Sequence, residues 1–231
     1  MRYSRAYSDL IAGVAEVRLI RVKASMLERA APVTYADQVS AMTRGGVVLL
    51  SSHLEGFAKK LVELAVERIF DKQICMSKLP ARFIYYSSQD LISNIVDSQH
   101  PDTIAKNLLA LQSRDGKQIK SSGPLVAPID FEVFERGFST PKYKPIDKFL
   151  KRVGYNSLLG DLKARQRGQF QIIKNSVENL VDTRNAIAHG DSAEKRTPSE
   201  LQSHIDFVKI FCRDTDVVFC DWYGANVCPL R

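Results

Sequence analysis

The stretch FQIIKNSVENLVDTRNAIAH, residues 170–189, decides the fold because it has the periodicity of an amphipathic α-helix. At about 100° per residue, its apolar side chains fall within roughly 60° of one line, and Arg184 lies at the centre of this stripe. A guanidinium cannot face hydrocarbon unpaired, because its desolvation is costly and its five donors need partners. Arg184 is therefore either neutralised inside the protein or placed beside a cleft that holds an anion. The apolar members of the stripe are Phe170, Ile173, Val177, Leu180, Val181, Ile187 and Ala188.

Two polar residues follow Arg184 on an adjacent face of the same helix. Asn185 and His189 are four residues apart and are therefore neighbours on the helix surface. Gly190 comes next, and glycine readily adopts the left-handed conformation that ends many helices. Arg184, Asn185 and His189 are the best candidates for functional residues in the chain.

The composition is that of an ordinary globular protein, with 45% hydrophobic and 26% charged residues in a chain of 231. No window approaches the roughly 18 uncharged apolar residues of a membrane span. Asp9, Glu16 and Arg18 interrupt the apolar part of the N-terminus, which argues against a signal peptide. We therefore expect a cytoplasmic protein that has one domain over residues 1–231 and no contact with membranes.

The four cysteines do not have the paired spacing of a metal site. Without an export signal, reduced thiols are expected, and a disulfide between Cys220 and Cys228 is the alternative. The histidines also lack the spacing of metal ligands, which argues against a metal hydrolase and predicts no metal cofactor. The residues considered are Cys75, Cys212, Cys220, Cys228, His53, His100, His189 and His204.

The net charge of +7 is unevenly distributed along the chain. Between Arg136 and Lys174, ten Lys and Arg residues face only two Asp residues, a net charge of +8, so the rest of the chain sums to −1. A basic segment directly before the Arg184 helix favours a polyanionic partner such as RNA, although a solvated surface would look the same. The candidate RNA-binding residues are Lys151, Arg152, Lys163, Arg165 and Arg167.

Helical periodicity predicts a mostly α protein, a bundle of long antiparallel helices. The long helices are expected at about 6–30, 36–70 and 168–189, with shorter ones at 102–112, 145–153 and 156–166. Residues 72–150 are otherwise read as an irregular insertion within the bundle. Thr197, Pro198 and Glu200 form the start signal of a further helix to about 213. Residues 217–223, VVFCDWY, are expected to form a short strand or extended segment.

The predicted helix 36–70 carries a candidate ion-pair partner for Arg184. Glu55 lies beside the apolar stripe of that helix, where an internal carboxylate could position or neutralise Arg184. In the wholly structural alternative, Arg184 makes only this ion pair and His189 only caps its helix.

The residues from Arg184 to His189 resemble the Arg-x4–6-His signature of HEPN domains, in which a polar residue often follows the arginine. Residues 51–64, SSHLEGFAKKLVEL, resemble the second long helix of stand-alone prokaryotic HEPN proteins found in toxin–antitoxin and defence loci. The resemblance implies a HEPN-like bundle that dimerises through the helix carrying these residues, the predicted helix 168–189, which we call the motif helix. It also implies a metal-independent endoribonuclease with Arg184, His189 and Asn185 at the dimer cleft. A cognate antitoxin protein is a further implied partner.

The residue types suit that chemistry independently of the resemblance. RNA cleavage without a metal uses the ribose 2′-OH as nucleophile, so the protein must shuttle a proton and stabilise charge on the phosphorane oxygens. Histidine suits the first task and the planar fork of arginine suits the second. Arg184 and His189 are about 7.5 Å apart along the helix axis and about 140° apart around it, so within one helix they do not point at the same place. Two copies of the helix that cross near a two-fold axis would let the arginine of one chain meet the histidine of the other. A non-catalytic module that binds RNA, a nucleotide or a protein is the alternative.

Overall fold

The computed structural model describes residues 3–114, 123–125, 127–190 and 196–231, without the side chains of 111–114. Every regular element in these ranges is helical, which confirms the predicted fold class. Short 3₁₀ turns occur at Met76–Lys78 and Arg167–Gln169. In chain order the helices are α1 (Arg5–Ala30), α2 (Ala36–Asp71), α3 (Ala81–Ser87), α4 (Gln89–Val96), α5 (Pro101–Arg114), α6 (Glu132–Glu135), α7 (Tyr143–Arg152), α8 (Leu158–Gln166), α9 (Phe170–Ala188) and α10 (Pro198–Asn226).

The four long helices α1, α2, α9 and α10 build the bundle, and α2 contacts the other three. In α9 the predicted stripe is buried from Phe170 to Val181, whereas Ile187 is half-buried and Ala188 is exposed. Full burial of one large apolar side chain contributes about 1.5–3 kcal/mol. Gly46 allows α2 and α10 to approach closely, since a Cβ there would lie 2.6 Å from Leu201 Cδ2. The apolar stripe predicted for α2 is buried and consists of Leu50, Leu54, Phe57, Leu61, Leu64 and Ala65.

The C-terminal part of α10 corrects the prediction for residues 217–223. These residues continue the helix to Asn226 and form no extended segment. Their β-branched and aromatic side chains locally favour a strand, but tertiary packing overrides that preference. Side chains four residues apart face the core in helical register, namely Phe211, Thr215, Phe219 and Tyr223.

The segment 72–150 is more regular than predicted. It contains α3 to α6 and most of α7, and α4 and α5 pack against each other. α3, α6 and α7 meet around Phe83, Phe134 and Phe149, all of which are fully buried. Phe138 stacks on Phe149 with 4.2 Å between the ring centroids. The insertion is therefore joined to the body of the protein through an aromatic cluster.

All four cysteine thiols are unpaired, so the alternative of a Cys220–Cys228 disulfide is wrong. Burial raises the pKa of Cys220 to about 12 and that of Cys228 to about 11. It raises the pKa of Cys212 well above its usual value. Cys75 is half-buried.

Among the described residues, no helix combines the length and the apolar character that a membrane crossing requires.

Two glycine substitutions test these helix assignments. We expect Gly56→Ala to raise the free energy of unfolding by about 0.5–1 kcal/mol, because Gly56 lies within α2 and a Cβ there meets no atom within 4 Å. Gly137→Ala should lower it by about 1 kcal/mol, since Gly137 also has open space but a φ of +70°. Urea denaturation measures both values, and equal effects of the two substitutions would contradict the assignment.

Candidate functional site

Arg184 is half-buried near the C-terminal end of α9, as its place in the apolar stripe predicts. Its Nη1 donates a hydrogen bond to Asn185 Oδ1 at 3.0 Å. Within the described ranges, no carboxylate lies within ion-pair distance of the guanidinium. In the described ranges, therefore, no carboxylate neutralises Arg184, and most of its five donors have no partner there.

Glu55 does not pair with Arg184, which corrects that part of the prediction. Its carboxylate accepts from Lys59 Nζ at 2.9 Å, one turn away on α2. The same ammonium group binds Glu135 at 2.6 Å, and these two carboxylates raise the pKa of Lys59. The i, i+4 spacing of Glu55 and Lys59 on one helix was itself a signal for this pair, and the sequence prediction overlooked it. Lys59 thus ties α2 to α6, and Glu55 holds the same ammonium group from within α2.

His189 occupies the C-cap of α9 and is exposed. Its backbone N–H donates to the Asn185 carbonyl at 2.9 Å, and the Gly190 N–H donates to the Ile187 carbonyl at 3.1 Å. Gly190 has a φ of +85°, which confirms the predicted left-handed stop. The imidazole has no hydrogen-bond partner in the part of the chain that the structure describes, so its nitrogen atoms can meet a substrate.

The structure joins Arg184 to Asn185 but not to His189. Because α9 remains regular to Ala188, Arg184 and His189 point about 140° apart. Asn185 uses its oxygen to accept from Arg184, and its amide N–H₂ group has no partner among the described atoms. One chain therefore presents an arginine–amide pair on one side of the helix end and a histidine on the other.

Three of the five predicted RNA-binding cations are engaged within the fold. Arg152 is held by backbone oxygens, because its Nη1 donates to the carbonyl oxygens of Phe134 and Arg136, and burial lowers its pKa. Lys151 pairs with Asp147 one turn earlier on α7.

Arg165 binds a buried carboxylate on α10. Its Nε donates to Asp214 at 2.9 Å, and only 3% of the Asp214 side chain is exposed. Gln166 and Arg213 donate to the same carboxylate, which is thereby satisfied although buried.

Lys163 and Arg167 are the exposed cations that remain of the predicted set. Neither has an ion pair with any residue the structure describes. Lys163 Nζ lies 5.9 Å from the ring centroid of Phe170, the first residue of α9. These two positive charges therefore lie at the N-terminal end of the motif helix.

Arg196, at the entrance to α10, contacts the motif helix and was missed by sequence reasoning. Its Nη2 donates to Thr183 Oγ1 at 2.8 Å. Thr183 is the residue directly before Arg184 in the chain. Thr197 caps α10 and exchanges hydrogen bonds with Glu200, which confirms the predicted helix start. No local motif marks Arg196, because its role depends on a contact between two helices.

Metal ligands do not accompany these residues. The described side chains include no group of three or more His, Cys, Asp or Glu arranged to hold a metal ion.

His204 on α10 is buried next to α9, with 7% of its surface exposed. Burial lowers its pKa, and the nearby charge of Arg196 lowers it further, while Glu200 and the backbone of Ser176 oppose the shift. Its Nδ1 is buried without a hydrogen-bond partner among the described atoms. The folded protein therefore favours the neutral imidazole.

The buried histidine predicts a pH-dependent stability. Below the ordinary histidine pKa of 6.5, the unfolded chain binds a proton that folded His204 resists, so the free energy of unfolding should fall as the pH falls. We expect the slope of the unfolding free energy against pH to be smaller in His204→Gln than in the wild type. One histidine can contribute at most about 1.4 kcal/mol per pH unit to that slope. Urea denaturation between pH 7.5 and pH 5 measures it. His100→Gln, at an exposed position, is the control and should leave the slope unchanged.

Comparison with known proteins identifies the fold family. The model of the RiboL-PSP-HEPN family matches residues 24–221, a range that includes all of α2 and α9 and most of α10. No curated protein and no solved structure matches the chain. HEPN domains are commonly ribonucleases, and others bind nucleotides. The helical fold, the Arg184–His189 spacing on α9 and this match lead to one conclusion: the chain belongs to the RiboL-PSP-HEPN family.

Proposed function

We propose that this protein is a metal-independent endoribonuclease whose active site forms where two copies of α9 meet. The observation that carries the proposal is the state of Arg184. It is half-buried, it lies at the end of the motif helix, and a neutral amide is its partner among the described residues. A cation in that position suits the phosphodiester of RNA, which supplies the missing negative charge.

The three motif residues would share the chemistry of cleavage. His189 would transfer the proton between the 2′-OH, the leaving 5′-oxygen and solvent, because one imidazole nitrogen can accept a proton and the other can donate one. Arg184 would stabilise the charge that builds on the phosphorane oxygens. Asn185 would donate its amide N–H to one of these oxygens while its own oxygen holds Arg184 in place. The products would be a 2′,3′-cyclic phosphate and a 5′-hydroxyl.

The divergence of Arg184 and His189 supports a homodimer through residues 168–189. If two copies of α9 cross near a two-fold axis, the arginine of one copy meets the histidine of the other across a groove. The exposed face of α9 includes the uncharged residues Asn175 and Asn179, and Ala186 is half-buried near the end of the helix.

The exposed cations at the other end of the motif helix would guide the RNA. Lys163 and Arg167 precede α9, and Arg184 lies about 20 Å further along its axis. In a pair that crosses near Arg184 and His189, these cations would lie about 20 Å from the shared site and would hold more distant phosphates of the same RNA. Lys151, Arg152 and Arg165 would contribute mainly to the positive potential, because the fold already holds their donors.

We also propose that the protein acts in the cytoplasm as the toxin of a toxin–antitoxin or defence system, with a cognate antitoxin protein as a second partner. A ribonuclease that needs no metal is active wherever RNA is present. Its host therefore needs a neutralising partner or a trigger.

The first experiment measures cleavage of end-labelled RNA by the purified chain in excess EDTA. We expect wild-type activity, and a loss of at least about a hundredfold in Arg184→Ala and in His189→Ala, because each removes a group that acts in the transition state. Arg18→Ala and His100→Ala, at exposed positions outside the motif, are the matched controls and should keep full activity. Growth after induction of wild type and His189→Ala tests the toxin role in the same pair.

Two outcomes would refute the catalytic assignment. Cleavage that survives both motif substitutions would place the active site elsewhere. RNA binding without turnover in the wild type would favour a non-catalytic binding module of the same fold.

A mixing experiment tests whether the site is shared between chains. Arg184→Ala and His189→Ala proteins, each inactive alone, are mixed after mild dissociation. Half of the dimers that form at random contain one chain of each variant. Each of these dimers has one intact Arg184–His189 site and one site that lacks both residues, so we expect about a quarter of the wild-type activity. If the site formed within one chain, the mixture would stay inactive.

A further inference from the structure

Three helices meet at Arg196. Its Nη2 donates to Thr183 Oγ1 on α9 at 2.8 Å, and its carbonyl oxygen accepts from Thr43 Oγ1 on α2 at 2.7 Å. The Thr43 hydroxyl has one hydrogen and three acceptors in reach, and the Arg196 carbonyl is nearer than those of Val39 at 2.9 Å and Ser40 at 3.0 Å. Arg196 thus links α2, the start of α10 and the end of α9.

Burial makes these contacts strong. Thr183 is 3% exposed and Thr43 is fully buried, so water cannot replace a hydrogen bond that either hydroxyl loses. Leaving such a group unsatisfied costs more than an exposed hydrogen bond contributes. The chain therefore has a physical reason to keep Arg196 in this position.

The charge of Arg196 is already used within the fold. Its Nη1 lies 3.4 Å from Glu200 Oε1, and Glu200 is itself held by Thr197 in the cap of α10. The backbone hydrogen bond from Thr197, together with the charge of Arg196, lowers the pKa of Glu200, so its carboxylate stays ionised beside the guanidinium. An arginine balanced in this way acts on neighbouring residues rather than on a phosphate.

We propose that Arg196, acting through Thr183 and Thr43, is the positioning residue that holds the last turn of α9 in register for RNA cleavage. The proposal rests on the proposed ribonuclease function. Helix ends open more readily than helix centres, and Arg184 to His189 form such an end. A displacement of about 1 Å at a reacting group can reduce a rate about a hundredfold. The Arg196 contacts remove that freedom one residue before Arg184.

Thr183→Val tests the proposal with little change in shape, because valine removes the acceptor and keeps the branched side chain. Thr183→Ser restores the hydroxyl and is the conservative variant. Thr103→Val, at an exposed position of α5, is the matched control. Amide hydrogen exchange of the full chain is the first measurement. We expect exchange in residues 184–190 to accelerate roughly three- to tenfold in Thr183→Val. Exchange in α1 should not change, and Thr183→Ser and Thr103→Val should match the wild type.

RNA cleavage is the second measurement. We expect kcat to fall at least about tenfold in Thr183→Val while KM stays within about twofold, and Thr183→Ser to recover most of the loss. Normal exchange and normal kcat in Thr183→Val would overturn the proposal. Faster exchange throughout the chain, or a Thr183→Ser protein as impaired as Thr183→Val, would also overturn it. If the wild type cleaves no RNA, the ribonuclease proposal fails, and the exchange pattern still decides whether Arg196 orders the motif.

Discussion

The structure depends on one guanidinium that is partly removed from water without a carboxylate among its described contacts. Arg184 loses hydration at the end of α9 and gains a hydrogen bond from its side chain to a neutral amide oxygen. An arrangement of this kind is unfavourable for an isolated fold, because a partly desolvated cation is stabilised best by an opposite charge. The favourable partner must then come from outside these contacts. This constraint is the reason why we propose a functional site at the end of the motif helix.

Helical periodicity predicted much of this fold because α1, α2 and α9 each bury one continuous stripe. A regular stripe is a local property, so it can be read without knowledge of the neighbours. The start of α10 was equally readable, since Thr197, Pro198 and Glu200 cap the helix through contacts three residues apart. The end of α10 was not. Its valines and aromatics favour a strand locally, and only burial against the rest of the bundle decides that they are helical.

The site could be predicted only as far as its residues lie on one helix. Arg184, Asn185, His189 and Gly190 follow from their spacing, whereas the choice of partners across helices does not. Glu55 had a suitable position for Arg184, but Lys59 lies one turn away and takes its carboxylate. The link from Arg196 to α2 and α9 has no sequence signal, because both of its threonine partners are distant in the chain. The basic segment shows the same limit, since net charge does not reveal which cations brace the fold.

The four thiols described above have a practical consequence for chemical labelling. A thiol reacts with electrophiles through its thiolate, and deep burial leaves Cys212, Cys220 and Cys228 almost entirely protonated and out of reach. Cys75 is the more accessible sulfur and lies between α2 and α3. A maleimide dye added to the native chain would therefore attach at this junction. It would report on the inserted segment while leaving the motif helix chemically untouched.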